Sequence, residues 1–592
     1  MAHTCVYTCM LARFSAVALL LFSFAGCSFA AAPLRAYAFV DVNVIPMDRE
    51  RVIEHQTVIV RDGRIAQIGA ASEVEIPRDA TRIDGRGKFL MPGLVDTHVH
   101  LRTRNELPLY VASGVTTVFN LDGRPFHLLF RARTASGELL GPTIYTVGPK
   151  FDKARTAEES VAEVEAQYAA GYDGIKIYAR VSKAEYPALL AAARKHHMFI
   201  LGHVPREVGF EGTLAAGQAL EHAEEIIYTY FNDTLDIDKL VFDESRIPNL
   251  VKLMRESGIW FTPTIVTYDQ IMQQAANVDT FLQRPEMRFI SPELRDRLSP
   301  AKNQYKRGFK PEQVPKIREN LAFQKKLVGV LHAAGVPMMA GTDAMGIGTV
   351  GGFSLHEELR NFVESGLSPF EALRTATSNP ARFLETNDFG TVTTGARADL
   401  VLLDANPLVD VANANRRAGV MTRGRWHPER ELQRIVDAMP RAYADEERFL
   451  LRALHGDIAK ALKYLDENDF GRTGSYLLAK ITAAEGTDAL VKIVRRTQEL
   501  EPSSVLVAER TINDLGYGLL RAKDFAKAIE VFQLNIALYP KAANTYDSLA
   551  EAYDASGEVG KAVETYRRAL EVSPQYANAE FATEYVKKHE AR

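Results

Sequence analysis

Six metal-ligand-type side chains each stand at the end of a short apolar run, and this arrangement constrains the fold of the 592-residue chain more than any other feature. The first two are His98 and His100 in Met91-Pro-Gly-Leu-Val-Asp-Thr-His-Val-His100, where Pro92-Gly93 breaks the chain just before the run. In a strand, a spacing of two puts both imidazoles on one face, within reach of one metal ion. A bare HxH is common by chance. It gains weight from Lys176 in Gly174-Ile-Lys-Ile-Tyr178, His203 in Phe199-Ile-Leu-Gly-His-Val204, His222 in Ala219-Leu-Glu-His222 and Asp343 in Met338-Met-Ala-Gly-Thr-Asp343.

Further strand-like runs lie at 114–119, 143–147 and 260–266, and helical stretches at 160–170, 183–196, 247–257 and 319–334 alternate with them. Eight strand candidates separated by helices predict an α/β fold, a (β/α)8 TIM barrel over residues 92–385, whose active-site residues belong at the C-terminal strand ends. The polar, proline-interrupted stretch 269–319 is expected to be an excursion over the barrel mouth.

Short β-rich runs precede and follow the barrel. Asp62-Gly63 between alternating apolar runs signals a hairpin. Residues 36–91 and 386–430 are expected to pair into one small domain, a β-sandwich or an open sheet, through which the barrel is inserted. Residues 440–592 read as an all-α region with the 34-residue period of tetratricopeptide repeats. Leu515 recurs as Leu549, Ala528 as Ala562, Phe532 as Tyr566, Ile536 as Leu570 and Pro540 as Pro574. Such repeats bind proteins through a concave face, and nothing names the partner here.

Arg13, the apolar run from Phe14 to Ala25 and small residues at Ser28 and Ala30 read as a signal peptide over residues 1–30. Export to the periplasm or medium is expected, with a lipid anchor at Cys27 as the alternative. All three cysteines, Cys5, Cys9 and Cys27, fall in this segment, which removes thiol catalysis from the remainder. No other run is long and apolar enough to span a membrane. A net charge of −4 without basic runs gives no reason to expect nucleic acid.

With these pieces in hand, the stretch from Phe39 to Trp426 resembles the amidohydrolase superfamily, in the branch of imidazolonepropionase and the prolidase-like Xaa-Pro and Xaa-Arg dipeptidases. Pro92 to His100, Ile175 to Tyr178, Glu221-His222, Gly341-Thr-Asp343, Ala376-Thr-Ser-Asn-Pro-Ala381 and Gly395 to Asp404 carry the resemblance. It implies a carbamylated Lys176 bridging two divalent ions, zinc by ligand type. His98, His100, Lys176 and Asp343 would hold one, and Lys176, His203 and His222 the other. Asp343 would also carry the proton of the attacking water. A solvent-facing Lys176 is the bland alternative, but its flanking isoleucines favour burial, and burial of a bare charge is costly.

Tyr178 shares the inward face of Lys176 at spacing two and is a substrate-binding candidate, as are Arg180 and His127. A structural tyrosine is an equal reading of Tyr178, and His356 reads as a helix cap. The function expected is hydrolysis of a small amide, a dipeptide or N-acyl amino acid. Lactam opening, as in imidazolonepropionase, and a repeat scaffold with an inactive barrel are the competing readings.

Overall fold

The computed structural model describes residues 35–468 and 472–590. The expected signal peptide and Cys5, Cys9 and Cys27 lie outside the described residues. Among the described residues no helix is long and apolar enough to cross a membrane.

The two flanking β segments form one eight-stranded sheet. Its key strand, Phe89–Pro92, runs parallel to Tyr37–Val44 and antiparallel to Leu400–Leu403, pairing Leu90 with both Val44 and Leu402. The expected sandwich is therefore one continuous hydrogen-bonded sheet holding both segments. Asp62 and Gly63 have φ of 50° and 78° between the paired residues Arg61 and Arg64, the positive values that a two-residue hairpin turn demands. At Gly93 the chain leaves this sheet, and a Cβ there would lie 2.1 Å from Thr116 Oγ1, so only glycine fits.

Two parallel sheets follow. One holds Leu94–Val99, Val115–Asn120 and Thr143–Thr146, the other Gly174–Ile177, Phe199–Gly202, Ala219–Glu221 and Phe261–Thr262. Leu94–Val99, Val115–Asn120 and Gly174–Ile177 are buried along their whole length, as parallel strands covered on both faces are. A parallel bridge between Val147 and Gly174 links the sheets on one side. On the other side, Phe261 bridges Met338, and Thr97 N donates to Ala340 O at 2.9 Å.

Two expected strands are cut short. The run at 260–266 pairs only at Phe261–Thr262, because Pro263 has no N–H, Thr264 turns to φ 48°, and Ile265 opens the helix Ile265–Leu282. The segment before Asp343 keeps one bridge, at Met338, with its donors divided among neighbours: Met339 N to Phe261 O, Ala340 N to Thr375 O and Asp343 N to His98 O. The expected excursion is well packed. The helix Ile265–Leu282 fills its first part, and the short turns Pro285–Phe289, Pro292–Arg297 and Pro311–Gln313 each open on a proline, where a missing N–H costs no hydrogen bond. Phe281, Met287, Phe289, Leu294 and Leu298 anchor it in the main core.

The helix Glu429–Gly456 runs 28 residues straight through Pro440, so the boundary expected there falls inside one helix. Leu432, Val436, Met439 and Tyr443 join the main core, whereas Leu450, Ala453 and Leu454 join the core of the C-terminal helices. Farther on, Glu509–Arg521, Phe525–Leu538, Ala543–Ala555 and Val559–Val572 form successive helices in which Ala528, Ala562, Phe532 and Tyr566 are all buried.

Candidate active site

The strand ends gather the six expected residues. The ring of His98 lies 5.3 Å from that of His100 and 4.7 Å from that of His222, and the ring of His203 lies 4.6 Å from that of His222. Asp343 Oδ1 lies 2.8 Å from His100 Nε2 and 3.5 Å from His98 Nε2. One ligand atom from each of His98, His100 and Asp343 fits within 4.8 Å of the others, a spacing suited to a shared metal ion. Lys176 is fully buried, and its Nζ has no hydrogen-bond partner.

Three imidazoles are fixed from behind. Glu221 Oε2 lies 2.5 Å from His98 Nδ1, Glu225 Oε1 2.9 Å from His203 Nδ1, and Thr264 Oγ1 2.8 Å from His222 Nδ1. Thr264 is itself set by Glu358, whose buried carboxylate accepts from Ile265 N at 3.0 Å and Val266 N at 2.7 Å. The Nε2 atoms of His98 and His203 are buried without a partner. Asp96 receives Thr342 Oγ1 at 2.7 Å and Thr342 N at 3.1 Å, which ties the strand Leu94–Val99 to the residue before Asp343.

Electrostatics favour neutral nitrogen ligands and an ionised Asp343. Burial, with the charge of Lys176 and the neighbouring imidazoles, pushes His98 well below its ordinary range. His222 and His203 are lowered mainly by burial. Burial also lowers the Lys176 amine, and a neutral amine is the form that reacts with carbon dioxide. For Asp343, burial would raise the carboxyl, but its hydrogen bond with His100 holds it far below the usual range. Burial pushes Glu221 up to about 8.

The three substrate candidates fare differently. Tyr178 reaches the site, with its ring 4.3 Å from that of His203 and 5.8 Å from Lys176 Nζ. Arg180 points outward, 69% exposed and paired with Asp152 at 3.2 Å. His127 is fully buried and engaged in the backbone: its Nδ1 accepts from Arg124 N at 2.9 Å and its Nε2 donates to Leu101 O at 2.8 Å, so it caps the helix Pro125–Ser136. His356 is structural too, donating from Nε2 to Ser113 O at 2.8 Å. Lys150, a residue without a motif, has its Nζ 4.2 Å from the centre of the Tyr178 ring and 3.8 Å from Asp152.

The chain matches the amidohydrolase family over residues 89–427, more than half its length. Among curated relatives it is 51% identical over 47 residues to dihydroorotase from Anaeromyxobacter sp. (strain K), a stretch covering 8% of this chain and 10% of that protein. Among solved structures it resembles a Xaa-Pro dipeptidase with methionine in its active site, at 20% identity and TM-score 0.51, over 66% of this chain and 100% of the other. It also resembles the bottromycin amidohydrolase, at 22% identity and TM-score 0.57, over 70% of this chain and 92% of the other. These two likenesses establish a shared fold. The chain belongs to the amidohydrolase family.

Proposed function

We propose that the chain is a binuclear metal-dependent hydrolase that cleaves a small amide bond, in a dipeptide or an N-acyl amino acid. The carrying observation is the direction of three imidazoles. Glu221, Glu225 and Thr264 engage the Nδ1 atoms of His98, His203 and His222, which frees each Nε2 for a metal. Buried nitrogens without partners, at His98 Nε2, His203 Nε2 and Lys176 Nζ, are costly unless a cation or a carbamate takes them up. His98, His100, Lys176 as its carbamate and Asp343 would hold one divalent ion, and Lys176, His203 and His222 the other; zinc bound there supplies an acidified water and a Lewis acid.

The chain's own residues do the rest. Asp343 is the one carboxylate of the set, and its Oδ1 stands 2.8 Å from His100 Nε2, so it can take the proton of the attacking water and return it to the leaving amine. Lys150 and Tyr178 stand together beside His203 and would bind the substrate's carboxylate. In this reading the two parallel sheets and the Met338 segment form one (β/α)8 barrel. The C-terminal helices act as tetratricopeptide repeats for a protein partner, and residues 1–30 direct export.

The test is a library of dipeptides and N-acyl amino acids assayed with zinc-loaded parent and Asp343→Asn. The parent should turn over members of the library, and the variant should keep metal while losing about 10²–10⁴-fold in turnover. An inert parent or a variant with near-normal turnover rejects the reading.

A further inference from the structure

The loop that follows Asp343 is held by side chains from three other parts of the chain. Arg102 Nε donates to Met345 O at 2.7 Å, Gln274 Nε2 to Ile347 O at 2.5 Å, and Arg297 Nη2 to Gly346 O at 2.9 Å. Asp343 has φ 53°, a conformation a non-glycine residue keeps only where its surroundings fix it. Three carbonyls in a row are thus anchored immediately after the residue whose carboxylate must be aimed.

The three anchors differ in origin. Arg102 follows His100 by two residues, and Gln274 lies on the helix Ile265–Leu282. Arg297 ends the short helix Pro292–Arg297 of the excursion, and that helix packs beside Arg472–Glu485 of the C-terminal region. The nearest carboxylate to its guanidinium is Glu293, at 3.9 Å, too far for a hydrogen bond. Its close contact is the Gly346 carbonyl.

We propose that Arg297 is a positioning residue: by holding the Gly346 carbonyl it fixes the loop that aims Asp343, so the excursion is part of the catalytic apparatus. The activity arm of its test rests on the role given to Asp343 above, and the loop-order arm does not.

The experiment compares full-length parent, Arg297→Met and Arg297→Lys by amide hydrogen exchange over residues 343–352, metal retained after dialysis, kcat and KM. The methionine variant should exchange faster in that loop, with other segments unchanged, and retain less metal. Its kcat should fall by about 10²-fold with little change in KM, the scale of a catalytic group misplaced by an ångström. Lysine, which can donate one hydrogen bond to the carbonyl, should recover most of both. Parent-like exchange in the loop with Arg297→Met overturns the proposal, as does equal loss in both variants with faster exchange throughout the chain. If the parent cleaves no amide, the hydrolase reading fails by itself, and the exchange comparison still decides the role of Arg297.

Discussion

Glu221 Oε2 lies 2.5 Å from His98 Nδ1, on the far side of the ring from the Nε2 that faces Asp343 at 3.5 Å. A carboxylate behind a ligating imidazole fixes its tautomer and raises its basicity. Glu221→Gln should therefore weaken metal binding by about 10–100-fold while leaving the ligand set intact. Competition with a chelator measures this. Parent-like affinity would mean that the contact only packs the strand.

In the proposed reading, Lys150 and Tyr178 would bind the substrate's carboxylate. Losing a hydrogen bond to a charged group costs about 1.5–3 kcal/mol, or roughly 10–150-fold in kcat/KM. The parent should prefer a carboxylate substrate over its C-terminal amide by about that factor, and Lys150→Met or Tyr178→Phe should reduce the preference. Arg180→Met should leave it alone, since that side chain is 69% exposed and paired with Asp152. Equal turnover of acid and amide by the parent would move a lactam or ester substrate ahead.

His356 is buried, and burial together with the charge of Arg417 lowers it to about 4. Between the unfolded value near 6.5 and that folded value, only the unfolded chain binds the proton. Stability is therefore present above 6.5 and is lost as pH falls toward 4, by about 1.4 kcal/mol per pH unit for this group. Denaturant unfolding at pH 5 and pH 6 should show a steeper loss in the parent than in His356→Gln. Equal slopes would contradict a neutral buried His356.

The group of His98, His100 and Asp343 was legible in the sequence because each stands at the end of an apolar run. Glu221 was hidden for a related reason: it shares a three-residue strand with Ala219 and Leu220, and only the packing of that strand beside Phe199–Gly202 turns its carboxylate toward His98. Lys150 lies in a loop that no periodicity positions. No local signal showed that the ring of His127 closes the first turn of the helix Pro125–Ser136. The strand expected through Asp343 kept only isolated bridges, at Met338 and just beyond it at Ala344, because its backbone donors are divided among several partners. Of the positions that recur at 34 residues, Ala528, Ala562, Phe532 and Tyr566 are buried between successive helices, whereas Pro540 and Pro574 are exposed. Nothing local showed that the helix holding Pro440 serves two cores.

The central claim is a two-metal centre bridged by Lys176, and metal analysis of purified parent and Lys176→Ala tests it most directly. The account predicts two divalent ions per chain in the parent and loss of at least one in the variant. Two ions held as tightly by Lys176→Ala as by the parent, or a folded parent that binds none, would contradict it.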